Sequence, residues 1–164
     1  MDNCPQGRIT NETNKTTNPT RCYGGDVTTI VFDGKTLATD SQVTNRNTVV
    51  GIVNKIIKID YGYCAISGDS DLQIDFINWI NGGEKPYFDT DKDNIWAIVI
   101  RYGEIEYYST NLRKQIVSAP VCIGSGSIIA RAALKCGKDA IGAVEIACEL
   151  DIYSSLPVNS VVIK

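Results

Sequence analysis

Histidine is absent from the 164 residues. This excludes a Ser-His-Asp or Cys-His relay and any His-liganded zinc or iron site. Chemistry is left to Thr, Ser, Cys, Lys, Asp, Glu or a free α-amine. No CxxC pair occurs among the cysteines at 4, 22, 64, 122, 136 and 148, which removes zinc-ribbon and thioredoxin-type readings. No run of about 18 apolar residues is present, so no membrane-spanning helix and no membrane partner are expected. The first residues lack the basic-then-apolar pattern of a secretory signal. The expected setting is a cytoplasm, or a particle assembled in one. Positive charge is not in excess: 16 Lys and Arg stand against 19 Asp and Glu, a net charge of −3. Phosphate binding needs a basic surface, so nucleic acid is not an expected partner.

What is present suits a globular chain, with 43% hydrophobic and 21% charged residues. The length fits one domain that needs neither metal nor disulfide to fold. Residues 1–27 stand apart. Their segment NETNKTTNPT is nearly free of apolar residues, and such a stretch cannot bury enough surface to fold alone. The expected division is a polar extension over 1–27, a pro-segment or assembly arm, and a domain over 28–164. Cys4 and Cys22 lie in the extension and are a candidate disulfide pair. Cys64, Cys122, Cys136 and Cys148 lie in apolar runs and read as small buried hydrophobes.

The domain opens with short β-rich runs, TTIVF (28–32) and KTLAT (35–39), joined by Asp33-Gly34, a hairpin signal. Further strands are expected over 55–59, 62–67, 95–101, 104–108, 120–123 and 157–163. Their apolar runs are too continuous for a sheet with one wet face. Leu72, Phe76, Trp79 and Ile80 predict a helix over 70–80, with Ser70 and Gln73 as a capping box. A second helix is expected over 128–136, capped by Ser127 and ended by Gly137. A third covers 139–150, with Ile141, Val144 and Cys148 on one stripe. Hairpins in pairs with helices in two blocks suggest a four-layer α-β-β-α sandwich.

Two motifs lead nowhere. Gly124-Ser125-Gly126 imitates a dinucleotide-binding turn, but Ile129 occupies the sixth position. It reads instead as a turn that brings a helix start close to a sheet. Asp89, Asp91 and Asp93 imitate a calcium loop, but Asn94 and Ile100 take the sixth and twelfth positions. That loop reads as solvated, as do Glu104 and Glu106 on one strand face. No metal and no organic cofactor are expected.

The segment TTIVFDGKTLATDS carries a chemical possibility. A Thr hydroxyl is a poor nucleophile without a base. In a chain lacking His, an N-terminal Thr can use its own α-amine, which titrates near 7.7–8.0. A nearby Lys lowers the hydroxyl pKa and an Asp holds that Lys. Taken alone, Lys55 and Asp40 could equally be a structural ion pair, Asp151 a helix end and Ser154 a turn.

Over residues 28–164 the chain resembles the proteasome β-subunit and HslV-type N-terminal nucleophile (Ntn) hydrolases, and their short phage and prophage relatives. Thr28-Thr29-Ile30-Val31 looks like the family's mature N-terminus. Asp40, in ATDS, matches the Asp that pairs with the catalytic Lys, and Lys55, in NKIIKI, matches that Lys. Gly68 matches the oxyanion donor. Ser125 matches the Ser of the family's GSG turn, and Asp151-Ile152-Tyr153-Ser154 the D-x-Y-S pattern around the α-amine. The resemblance implies an α+β fold, the α-β-β-α Ntn sandwich. The shortness of 84–94 implies that one helical layer is trimmed. It further implies a threonine peptidase with Thr28 as nucleophile, peptide substrates and a homo-oligomer. Val27 stands where relatives carry an initiator Met or the Gly that ends a pro-segment, and Ser154-Ser155-Leu156 where they carry S-G-G. The alternative is a silent structural or assembly protein that keeps residues 1–27, in a phage virion.

Overall fold

The computed structural model describes residues 28–45 and 48–164. The extension and the Cys4–Cys22 pair lie outside the described residues.

The chain begins as a hairpin, β1 (Thr29–Phe32) and β2 (Thr36–Thr39). The Asp33 carboxylate accepts from the amides of Lys35 and Thr36 at 2.9 and 2.7 Å, closing the turn at the place the sequence signals it. A two-stranded ribbon follows, β3 (Gln42–Asn45) with β4 (Thr48–Ile52). Then come β5 (Ile56–Ile59), β6 (Gly62–Gly68), α1 (Ser70–Ile80), β7 (Ile95–Arg101), β8 (Glu104–Tyr108) and β9 (Gln115–Val117). The remainder is β10 (Val121–Gly124), α2 (Ser127–Lys135), α3 (Ala140–Leu150) and β11 (Asn159–Val162).

Two antiparallel sheets stack. One runs β10-β1-β2-β11 and the other β5-β6-β7-β8-β9. Side chains alternate along each strand. In β1, Ile30 and Phe32 point between the sheets and meet Leu37, Ala65, Ile98 and Val121. Val31 points the other way, onto α2 and α3 through Ala130, Val144 and Ala147. In the second sheet Cys64, Ile66 and Val99 face outward onto Leu72, Phe76 and Ile80 of α1. The central strands β1, β2, β6 and β7 are therefore buried on both faces, which explains their continuous apolar runs. The layers are α-β-β-α. Among the described residues one helix, α1, covers the five-stranded sheet, so that helical layer is trimmed as expected.

Several details differ from the sequence reading. The ribbon strands β3 and β4 and the short β9 are additional. The capping box at Ser70 does not form: Asp69 is the N-cap and makes no side-chain cap bond. Its carboxylate instead accepts from the Asn94 amide at 3.1 Å, and its amide donates to the Asn94 carbonyl. Ser127 does not cap α2 either, because Gly126 is the N-cap. The buried stripe of α3 is Ala140, Ala143, Val144 and Ala147, with Ile141 and Cys148 at its margins. Cys64 and Cys122 are buried, but Cys136 is exposed, because it terminates α2. Asp93 is buried, not solvated, and accepts from the Asp89 amide at 2.9 Å. Glu106 is also buried, since three side chains compensate it: Arg101 at 3.2 Å, Lys114 at 3.4 Å and the Tyr108 hydroxyl at 2.8 Å.

Candidate active site

The β1–β2 hairpin and the segment entering β5 bring three polar side chains together. Asp40 follows β2 and is wholly buried, and Lys55 precedes β5 with 9% of its side chain exposed. Lys55 Nζ donates to Asp40 Oδ1 at 2.9 Å and Oδ2 at 3.1 Å. It also donates to Thr28 Oγ1 at 3.1 Å. The main chain surrounds the carboxylate with donors. Thr29 N reaches Oδ1 at 2.9 Å, while Gln42 N and Ser155 N reach Oδ2 at 2.9 and 3.4 Å. Burial lowers the Lys55 pKa from the ordinary lysine value, and the charge of Asp40 opposes that shift.

A second cluster sits at the meeting of β10, α2 and the end of α3. Asp151 Oδ2 accepts from Ser125 Oγ at 2.6 Å and from Ser154 Oγ at 2.7 Å. Ser154 Oγ lies 2.8 Å from Thr29 Oγ1. The fold allows this because glycines line the approach. Gly124 has a φ of +92°, and a Cβ there would collide with the Thr28 carbonyl. A Cβ on Gly126 would collide with Thr29 Oγ1. The Gly124–Gly126 turn thus brings main chain against Thr28 and Thr29, as its reading as a close-approach turn predicts.

Gly68 ends β6 with a φ of +115°, and a Cβ there would collide with the Asn94 carbonyl. Its neighbour Ser67 reaches to 3.4 Å from where a Cβ on Gly124 would stand. Thr28, Asp40 and Lys55 therefore form one group and Ser125, Asp151 and Ser154 another, with Gly68 nearby. Cys148 of α3 senses the charges of Asp40, Lys55 and Asp151, and burial first of all pushes its thiol up to about 12. It stays a neutral thiol beside the site. A groove of about 400 Å³ is lined by Gln42, Thr44, Val49, Ile152 and Tyr153. Gln42 links it to the site, donating its amide to Asp40 and its Nε2 to the Ile152 carbonyl at 3.1 Å.

Sequence reasoning missed Thr29 and Gly126 as site residues. Strand alternation held the signal for Thr29. Adjacent residues on β1 point to opposite faces, so Thr29 faces α2 and α3 with Val31.

No protein-family model matches the sequence, and no curated protein does. Solved structures do. BPH of Thiobacillus denitrificans in complex with Epoxomicin matches at 21% identity with a TM-score of 0.67, over 84% of this chain and 97% of that one. A second structure of the same BPH gives 20% and 0.66 over the same shares. HslV from Trypanosoma brucei gives 23% and 0.62, over 82% of this chain and 97% of its own. The chain has their fold. It is an α-β-β-α sandwich, shared at low sequence identity. Among the described residues no helix is long and apolar enough to cross a membrane.

Proposed function

We propose that the chain is a proteasome-like threonine peptidase, with Thr28 as nucleophile once the Val27–Thr28 bond is cut. One observation carries the reading: a buried ammonium, held by both oxygens of Asp40, sits 3.1 Å from Thr28 Oγ1. A positive charge there favours the alkoxide over the hydroxyl. In the chain before cleavage the Thr28 nitrogen is an amide and holds no proton-accepting lone pair. Cleavage turns it into an amine.

The amine then takes the Thr28 hydroxyl proton, and Oγ1 attacks the carbonyl carbon of a peptide. The tetrahedral oxyanion is bound by the Gly68 N–H. The α-ammonium gives its proton to the departing amine as the C–N bond breaks, leaving an ester on Oγ1. Water attacks the ester, the α-amine takes the water's proton, and the acid leaves as Oγ1 regains a proton. Lys55 stays bound to Asp40 throughout and acts by its charge. The Asp151 group orders the surroundings of the Thr28 nitrogen. The groove beside Gln42 supports an extended peptide as substrate.

Thr28→Ala is expected to leave residues 1–27 attached and to abolish turnover of an unstructured peptide. Intact mass and a peptidase assay measure both. Unchanged turnover in that variant overturns the reading. BPH has been solved with Epoxomicin. That compound is therefore expected to raise the melting temperature of the cleaved wild type and not of Thr28→Ala.

A second reading is an assembly protein that keeps residues 1–27, and one feature is compatible with it. All of β4 is exposed, with Val49, Val50 and Ile52 between 57% and 64% accessible. Ile152 and Leu156 add exposed apolar surface. Such a patch supports self-association under either reading. Retention of the full mass in a protein that still oligomerises would favour the second.

A further inference from the structure

We propose that Thr29 is a positioning residue of this site. It supplies the outer donor of the hydroxyl array on Asp151 and ties that array to the Asp40–Lys55 pair. The inference rests on the peptidase reading for its kinetic consequence, not for its geometry.

The direction follows from counting protons. Ser154 has one hydroxyl hydrogen. The Asp151 carboxylate can only accept, so that hydrogen lies in the 2.7 Å contact with Oδ2. The 2.8 Å contact between Ser154 Oγ and Thr29 Oγ1 then has one possible donor, Thr29. The array runs from Thr29 to Ser154 to Asp151, and Ser125 donates to the same Oδ2 at 2.6 Å. With Thr29 in place, Ser154 has an acceptor site filled and its own hydrogen committed.

The main chain of the same residue serves the other cluster. Thr29 N donates to Asp40 Oδ1 at 2.9 Å, the oxygen that Lys55 also holds at 2.9 Å. One residue therefore bonds one carboxylate directly and reaches the other through Ser154, and it is covalently joined to Thr28. Thr29 is wholly buried. A side chain at Gly126 would occupy the place of Thr29 Oγ1. A strand position of this shape is filled equally well by Val, which its neighbour Val31 shows. The hydroxyl is what Val lacks, and the hydroxyl is what the array uses.

The test compares Thr29→Val, the isostere without the hydroxyl, with Thr29→Ser, which keeps it. Thr29→Val is expected to lower kcat about tenfold or more, with KM within about twofold. Thr29→Ser is expected to restore kcat to within about threefold of wild type. In crystal structures, the Ser154 hydroxyl leaves Asp151 in the Val variant and keeps its place in the Ser variant. Combining Thr29→Val with Ser154→Ala adds no further loss beyond the larger single effect. Wild-type kcat in a folded Thr29→Val protein overturns the proposal. So does a Ser154 hydroxyl still seated on Asp151 in that variant, or full additivity with Ser154→Ala. If Thr29→Val does not fold, Thr29→Ala replaces it in the same comparison. A wild-type chain as inactive as Thr28→Ala would sink the peptidase reading alone. The crystal comparison would then decide the role of Thr29 without it.

Discussion

Asp40 and Glu106 are buried carboxylates with cations against them, one in each half of the sandwich. Asp40 belongs to the sheet that starts the domain and Glu106 to the other. Asp40 is held by Lys55 and by three backbone amides. Glu106 is held by side chains, Arg101, Lys114 and Tyr108. The difference lies in what the cation touches next. Lys55 goes on to the hydroxyl of Thr28 at 3.1 Å. Arg101 goes on to the Ile80 carbonyl at 3.0 Å, at the C-terminal end of α1. A cation at that end complements the exposed carbonyls and the helix dipole. Burial of an ion pair is therefore no sign of a reactive site by itself. The group that receives the cation's remaining hydrogen bond separates chemistry from anchorage.

The comparison breaks most sharply on activity. Lys55→Met is expected to reduce peptide turnover by about 10²–10³ or more, the scale of losing one preorganised charge donor. Glu106→Gln leaves kcat within about twofold. A steady-state assay on both variants checks this, and a large kcat loss in Glu106→Gln would erase the distinction.

Stability reverses the order of interest. Glu106→Gln strands Arg101 against α1 and is expected to cost about 2–3 kcal/mol, measured by chemical denaturation. Replacing both, as Arg101→Met with Glu106→Leu, returns most of that loss.

Alkaline titration separates the clusters further. The folded Lys55 pKa lies below the ordinary 10.5. Between the two values the unfolded chain holds a proton that the folded chain has released, so this group makes stability rise with pH. Tyr108 is pushed above its ordinary 10.0, by burial first and then by the hydrogen bond to Glu106. Above that pH the unfolded chain loses a proton that the folded chain keeps, so this group makes stability fall. Lys55→Met is expected to remove the rise and Tyr108→Phe the fall, in denaturation curves taken from pH 8 to 11. The smallest effect belongs to an exposed pair. Lys92 and Asp89 meet at 2.8 Å with 65% and 34% exposure, and Lys92→Ala changes stability by about 0.5 kcal/mol or less.

The sequence was legible where a pattern repeats within one element. Leu72, Phe76 and Ile80 placed α1 on its observed bounds, and Asp139 marked the start of α3 through its bond to the Gly142 amide at 2.8 Å. The β3–β4 ribbon was not legible. Every residue of β4 is exposed, so no buried face writes an alternation into the sequence. Glu106 was misread for a related reason: its burial is set by residues on the neighbouring strand and beyond it. The N-caps read at Ser70 and Ser127 were each one residue late, because the loops before the helices are held by main-chain contacts to Asn94 and by the close approach at Gly126. Around the site, Thr28, Asp40 and Lys55 were named through family resemblance and lie within hydrogen-bonding reach. Thr29 was passed over as a strand residue, since a Thr in a β-run carries no mark of what its hydroxyl meets.

The hydrogen bond between Thr29 and Ser154 joins residues 125 positions apart. A ribosome releases the first of them on the order of ten seconds before the second at usual elongation rates. During that interval the β1–β2 hairpin can form and Lys55 can find Asp40, only 15 positions away. The array on Asp151 cannot yet exist. The nascent chain thus carries an unfinished centre until its closing strand emerges, and a truncated translation product is left with half of one.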